Sequence, residues 1–340
     1  MTRRTAVLAA GSLLLVLLGL LGAAVPVPFV AQVPGPTYNT LGDIKGEPVI
    51  SLEGRDRDDV SGNLNFTTVE VSTRGLSLVQ AVRGWFDSEI SVVPEESVYP
   101  PDRSEEETRR VNREAFLTSE EIAEAVALGE LGYPAKVVVR GLSEESPSAD
   151  VLEENDAIES VDGRATPDLA ALTEVLTDTP AGTDVEIAFT RNGDPRTATV
   201  TTAEAPGRPG SLLGVTVRDM PSAPFDVDVQ VEDVGGPSAG LMLTLGIIEL
   251  VGDESLTGGA VVAGSGTIDV EGAVGPIGGI PLKIVAAEEI GAELFLVPAD
   301  NCAELLAAGP PQVATARVAD LDDALTALGD LRDGRTPAPC

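Results

Sequence analysis

Two glycines and a proline in Val234-Gly235-Gly236-Pro237-Ser238-Ala239-Gly240 deliver a serine to the start of an apolar run, Leu241 to Val251, long enough for a buried helix. No other stretch constrains the fold so much, because a core must form around that run while the serine stays approachable. The spacing puts Ser238 at a helix N-terminus. Unpaired amides and the positive end of the helix dipole gather there, so the backbone of Gly236, Ser238 and Ala239 would stabilise negative charge developing on a substrate oxygen.

A serine nucleophile needs a base. The chain has no histidine, which excludes every Ser-His-Asp arrangement. Lysine remains, and there are only three, Lys45, Lys136 and Lys283. Lys283 follows Gly275-Pro276-Ile277-Gly278-Gly279-Ile280-Pro281, and a helix is predicted to start at the last proline. Helical spacing then places Ala286, Ala287 and Ile290 on the same side as Lys283. On that apolar face a lysine loses hydration, its pKa falls, and the neutral amine becomes a competent base near neutral pH. Singly, a Gly-Gly-Pro-Ser turn is an ordinary N-cap and a lone helical lysine an ordinary surface residue. The pair is what points to chemistry.

Together the two segments resemble the signatures of Lon-type serine proteases, the Gly-Pro-Ser-Ala-Gly nucleophile motif and the Gly-Gly-x-x-x-Lys motif. The resemblance runs from Phe225 to Leu306. It implies Ser238 as nucleophile and Lys283 as base. Ser265, in Gly264-Ser265-Gly266, falls where the family has a threonine that orients the lysine, so it is the expected supporting hydroxyl. Gly235 stands where Lon enzymes carry an acidic side chain, and any charge-assisted role of that group is absent here.

Composition bounds the rest. A chain of 340 residues with 43% hydrophobic content can pack two ordinary domains. Its net charge of -33 repels phosphate backbones and excludes nucleic acid as a partner. Thr2-Arg3-Arg4 precedes an apolar run from Ala6 to Val25 that is long enough to cross a bilayer, and the positive-inside rule places the bulk of the chain outside the cytoplasm. A cleaved signal peptide ending near Gly22-Ala23-Ala24 is the competing reading, and the length of the apolar run favours an uncleaved anchor. Four prolines between Val25 and Tyr38 predict an extended tether.

Gly62 to Val71 alternates apolar and polar residues and reads as a strand; it resembles the opening strand of the Lon-type domain. Ser77 to Phe86 and Glu105 to Gly132 read as helices, the second broken near Thr118-Ser119 with Ser119 as an N-cap. From Lys136 to Thr202 come short strands, an amphipathic helix from Pro167 to Thr177 with Leu169, Leu172 and Leu176 on one face, and a hairpin around Asn192-Gly193. That order resembles a bacterial PDZ domain. Asn155 replaces its turn glycine, and asparagine tolerates the positive φ required. A PDZ domain captures peptide termini at a sheet edge. No Gly-Lys-[Ser/Thr] of a Walker A loop occurs, so ATP-driven unfolding is not expected. Cys302 and Cys340 form a candidate disulfide in an oxidising compartment, two free thiols being the alternative.

The expectation is an α/β chain whose Lon-type proteolytic domain contains an inserted β-rich PDZ domain, preceded by one transmembrane helix. The segments are 1–30 for the cytoplasmic N-terminus and anchor, 31–134 for the first part of the protease, 135–203 for the PDZ domain and 204–340 for the proteolytic core. As a whole it resembles the PDZ and Lon-like membrane proteins of Gram-positive bacteria, which implies an ATP-independent serine endopeptidase acting outside the cytoplasmic membrane. Protein or peptide substrates and PDZ-bound termini are the expected partners, a homo-oligomer is compatible with the sequence, and neither cofactor nor metal is expected. The contrasting reading is an inactive membrane scaffold that recruits partners through the PDZ domain.

Overall fold

The computed structural model describes residues 3–340 apart from 57–59, 73–74, 88, 192 and 233; the side chains of 3, 5, 6, 8 and 9 also lie outside that description. Thr2 and Asn192, both used in the sequence reading, are therefore outside the described residues. Helix α1 (Arg3–Ala24) covers the N-terminal apolar run. Among the described residues no helix is long and apolar enough to cross a membrane. Gln80 donates its amide to the Ser77 hydroxyl and accepts the Ser77 amide in return, a capping box that starts α2 (Leu78–Gly84) after the strands β1 (Phe29–Asn39), β2 (Ile50–Glu53) and β3 (Asn63–Val71).

The proline-rich stretch is not a tether. Phe29 to Asn39 is a strand, antiparallel both to β3 and to the short β4 (Ser91–Pro94). The prolines hid it, because proline brings no donor to a ladder. Here β4 pairs only with Phe29 to Gln32, and the register with β3 shifts between Pro34 and Thr37, so Pro34 and Pro36 sit where a bulge and an open edge accept them.

The long helix α3 (Glu105–Glu130) runs unbroken through Thr118-Ser119, contrary to the expected break. Ser119 is buried inside it rather than capping a new helix. Serine favours caps only where its hydroxyl would otherwise compete with the helix; here the hydroxyl bonds outward to Pro237.

A separate sheet follows, built from β5 (Ala135–Leu142), β6 (Ala157–Val161), β7 (Asp184–Arg191), β8 (Asp194–Thr201) and β9 (Val215–Pro221), with α4 (Leu169–Asp178) between β6 and β7. The strand order is β8-β7-β6-β5-β9, so its last strand comes from beyond residue 203. Asn155 adopts φ 70°, the left-handed turn expected of the residue that replaces glycine. Val139, Ile158, Leu172, Val185 and Ile187 form a core of their own.

The chain then returns to its first sheet through β10 (Asp226–Val229), paired with β2, α5 (Gly240–Val251), β11 (Val261–Gly264), α6 (Ile280–Glu289), β12 (Leu294–Pro298), β13 (Ala314–Val318) and α7 (Leu321–Arg332). Among the described residues the order is β13-β12-β11-β3-β1-β4, with β3, β11, β12 and β13 parallel neighbours. Leu64, Phe66 and Phe116 share one core with Leu241, Leu245, Leu294 and Leu328. Residues before and after the intervening sheet thus make a single hydrophobic unit, and β5 to β9 form an insertion.

Candidate active site

Each part of the site is set by its element. Ser238 stands two residues before α5, in the turn that the glycines and Pro237 create. Gly279 takes φ 73° at the start of α6, and a Cβ there would lie 2.9 Å from Val69 Cγ2, so only glycine lets α6 begin this close to β3. One turn into α6, Lys283 points inward. Ser265 follows the end of β11 and is fully buried.

These three side chains meet. Lys283 Nζ lies 2.9 Å from Ser238 Oγ, 2.8 Å from Ser265 Oγ and 2.9 Å from the Thr67 carbonyl oxygen on β3. Lys283 is only 3% exposed, and among the described residues no carboxylate pairs with it. Burial without a counter-charge lowers its pKa from 10.5 to about 7.

Hydrogen accounting then fixes the direction of each bond around a neutral amine, which has two N–H groups and one lone pair. The Thr67 carbonyl can only accept. Ser265 gives its single hydrogen to the Ser238 carbonyl oxygen at 2.9 Å, so toward Lys283 it too can only accept. Both N–H groups are consumed, and the lone pair faces Ser238 Oγ. The arrangement can take a proton from the Ser238 hydroxyl.

Of the residues expected beside Lys283, Ala286 and Ala287 are buried. Ile290 is not part of the cover. It caps the C-terminus of α6 and is 37% exposed, because the helix ends one residue too soon for it to turn inward. The expected oxyanion donors also need correction. The Gly236 amide donates to the Asn112 carbonyl on α3 at 2.8 Å, so it is not free for a substrate. The Ser238 and Ala239 amides remain, with no acceptor among the described residues.

Helix α3 is the part of the site that the sequence reading missed. Besides the Asn112 bond, Ser119 Oγ donates to the Pro237 carbonyl at 3.0 Å, so two successive residues of the nucleophile loop, Gly236 and Pro237, are held by α3. A Cβ on Gly235 would lie 2.9 Å from Asn112 Cβ, leaving no room for the acidic side chain of the Lon enzymes. The available signal was the spacing of Asn112, Phe116, Ser119 and Ala123, which places polar and buried residues on one helix face. On the opposite side Asn301 grips Ile277, donating to its carbonyl and accepting its amide, both at 2.9 Å. Between these walls lies a cleft of about 540 Å³, lined by Tyr38, Phe66, Val69, Ser238, Ile277 and Lys283 among others. Next to Asn301, Cys302 is bonded to Cys340 with Cα atoms 5.2 Å apart, which ties the C-terminal residues beneath this wall.

Comparison with known families matches residues 101–202 to the PDZ domain and residues 230–320 to the Lon protease (S16) C-terminal proteolytic domain. The chain carries a PDZ domain and a Lon-type proteolytic domain. The first match extends back over α3, which in the structure packs into the protease core rather than the PDZ core. Lon protease 2 of Bacillus subtilis is 34% identical over 99 residues, 27% of this chain and 18% of that protein. Lon protease of Phenylobacterium zucineum is 39% identical over 69 residues, 20% of this chain and 8% of that protein. The chain therefore spans less than a fifth of the length of these relatives. Among solved structures, the PDZ domain of an SdrC-like protein from Listeria monocytogenes is 22% identical, with a TM-score of 0.23, covering 24% of this chain and 86% of that one.

Proposed function

We propose that the chain is a serine endopeptidase that works without an ATPase, with Ser238 as nucleophile and Lys283 as general base. The observation that carries this reading is the buried amine whose remaining lone pair faces Ser238 Oγ at 2.9 Å. The neutral amine takes the Ser238 proton as the oxygen attacks a peptide carbonyl. The Ser238 and Ala239 amides hold the oxyanion, and the resulting ammonium returns its proton to the leaving amine. Ser265 and the Thr67 carbonyl hold the amine in register. They do not transfer the proton.

Two further elements belong to the same reading. The PDZ sheet presents β9 at one edge, where an extended peptide terminus adds by backbone hydrogen bonds and brings substrate to the protease unit. On the full apolar run of the sequence from Ala6 to Val25, which includes side chains outside the described ones, helix α1 anchors the chain in the cytoplasmic membrane with the catalytic unit outside. Supporting this, the six consecutive residues Leu13 to Leu18 are each 54–72% exposed, an apolar surface on every side of the helix. The experiment is incubation with an unfolded protein such as casein, comparing wild type with Ser238→Ala. Cleavage by wild type alone is expected, and equal cleavage by both would sink the assignment.

A further inference from the structure

Helix α2 has two unlike faces. Ala81 and Gly84 are buried, and Gly84 faces β4 so closely that a Cβ on it would lie 2.6 Å from Val92 Cγ2. Leu78, Val79, Val82, Trp85 and Phe86 point the other way and are exposed, Phe86 to 89%. Five large apolar residues at these spacings form one continuous stripe, in a chain with only 3% aromatic residues and a single tryptophan. The stripe begins where α1 ends. A Cβ on Gly22 would be 3.5 Å from Val79 and 3.8 Å from Leu78, the Leu78 amide donates to the Val25 carbonyl, and the Val27 amide to the Leu76 carbonyl. Trp85 is held edge-on against Phe29, the first residue of β1, at 5.9 Å between ring centroids.

What covers the stripe follows from α1. A protein partner covers one side of a helix, but Leu13 to Leu18 expose apolar side chains around its whole circumference, so the cover must surround it. A lipid phase does this. The stripe continues that surface at the end of the helix, with an indole and a phenyl ring at its rim, the side chains that favour the boundary between acyl chains and headgroups.

We propose that α2 and the Trp85-Phe86 turn lie in the headgroup–acyl boundary of the bilayer that surrounds α1. This rests on the reading of α1 as an anchor. With two points of seating and a hydrogen-bonded link into β1, the catalytic sheet keeps a fixed attitude to the membrane. Tyr38 lines the cleft nine residues along β1 from Phe29, so the cleft stands within about 30 Å of the bilayer along the strand. The substrates that fit are membrane-proximal segments of other chains.

Trp85 is the only tryptophan, so intrinsic fluorescence of the full chain reports this site alone. The test places the full chain in phosphatidylcholine vesicles, chosen because the chain's own charge is strongly negative, and compares lipids brominated near the carbonyl end of the acyl chain with unbrominated ones. Flotation with vesicles, loss of most Trp85 emission to the brominated lipid and protection from aqueous iodide are the expected results. In a Val82→Asp, Phe86→Asp double variant the chain should still float while Trp85 becomes open to iodide and insensitive to bromine. A floating wild-type chain whose Trp85 is quenched by iodide and not by bromine overturns the boundary seating and leaves the anchor standing. So does a double variant that keeps its lipid quenching. Failure of the wild-type chain to float overturns both.

Discussion

Two cations in this molecule, Arg191 half-buried and Lys283 buried, meet opposite fates. In the PDZ unit, Arg191 is bound by Asp156 through both carboxylate oxygens at 2.7 Å and by Glu153 at 2.6 Å, and these partners raise its pKa further. In the protease unit, Lys283 has two hydroxyls and a carbonyl as its nearest oxygens, and its pKa drops to about 7. A carboxylate fixes charge and makes structure; neutral oxygens position an amine and leave its proton negotiable. Burial and the nature of the partner atoms together separate a structural cation from a reactive one.

The largest effect should come from changing Lys283 itself. Lys283→Arg keeps a cation but removes the base, since guanidinium does not deprotonate, and peptidase activity should fall by about 10³-fold or more. Wild-type rates in that variant would place the base elsewhere. Next, each cation can be challenged by denaturant unfolding. Asp156→Ala removes the two-pronged partner of Arg191 and leaves it Glu153 alone among carboxylates, and should cost the PDZ unit about 2 kcal/mol. Lys283→Met removes an uncompensated amine and should be neutral or stabilise the protease unit by about 1–2 kcal/mol at pH 6. If both variants destabilise equally, the contrast between the two cations is false.

A smaller effect is expected at Ser265. Ser265→Ala removes one acceptor from the amine and one donor from the Ser238 carbonyl, so kcat should fall about 10–100-fold with KM little changed. Smallest is a control for burial alone. Desolvation raises Glu124 on α3 from 4.5 to about 7, with Arg140 opposing it and neighbouring acids adding to it. Its folded pKa lies above the unfolded one, so the penalty is absent below pH 4.5, grows between pH 4.5 and about 7, and is full above 7. Lys283 has the reverse sign: its penalty is full below about pH 7 and disappears as pH climbs toward 10.5. Glu124→Gln should therefore stabilise by about 1 kcal/mol at pH 8 and not at pH 4.5, after discount for residual hydration, with thermal melts as the readout.

The same contrast explains what was legible in the sequence. Chemistry carried by short segments with special residues could be read: the glycines that shape the turn at Ser238, the Gly279 start of α6, and the Asn155 turn in the PDZ unit. The missing pieces depend on distant contacts. Pro34 and Pro36 argue against a strand until β4 is seen to stop short of them. Ser119 looks like a cap until Pro237, remote in sequence, offers its carbonyl. Gly236 looks like an oxyanion donor until Asn112 takes its amide. Ile290 has the right spacing, but the helix ends before it. Local pattern specifies each element, while the identity of a buried group's partner is decided only when the sheet and α3 close around the nucleophile loop.

The central claim is that the Lys283 amine is neutral near pH 7. With only three lysines in the chain, an NMR titration of the lysine ammonium groups in the intact protein yields few enough signals to assign by single substitution. One signal, lost in Lys283→Arg, should titrate near pH 7. If that signal stays charged until about pH 10, the range of an ordinary lysine, the amine is not the base and the account fails.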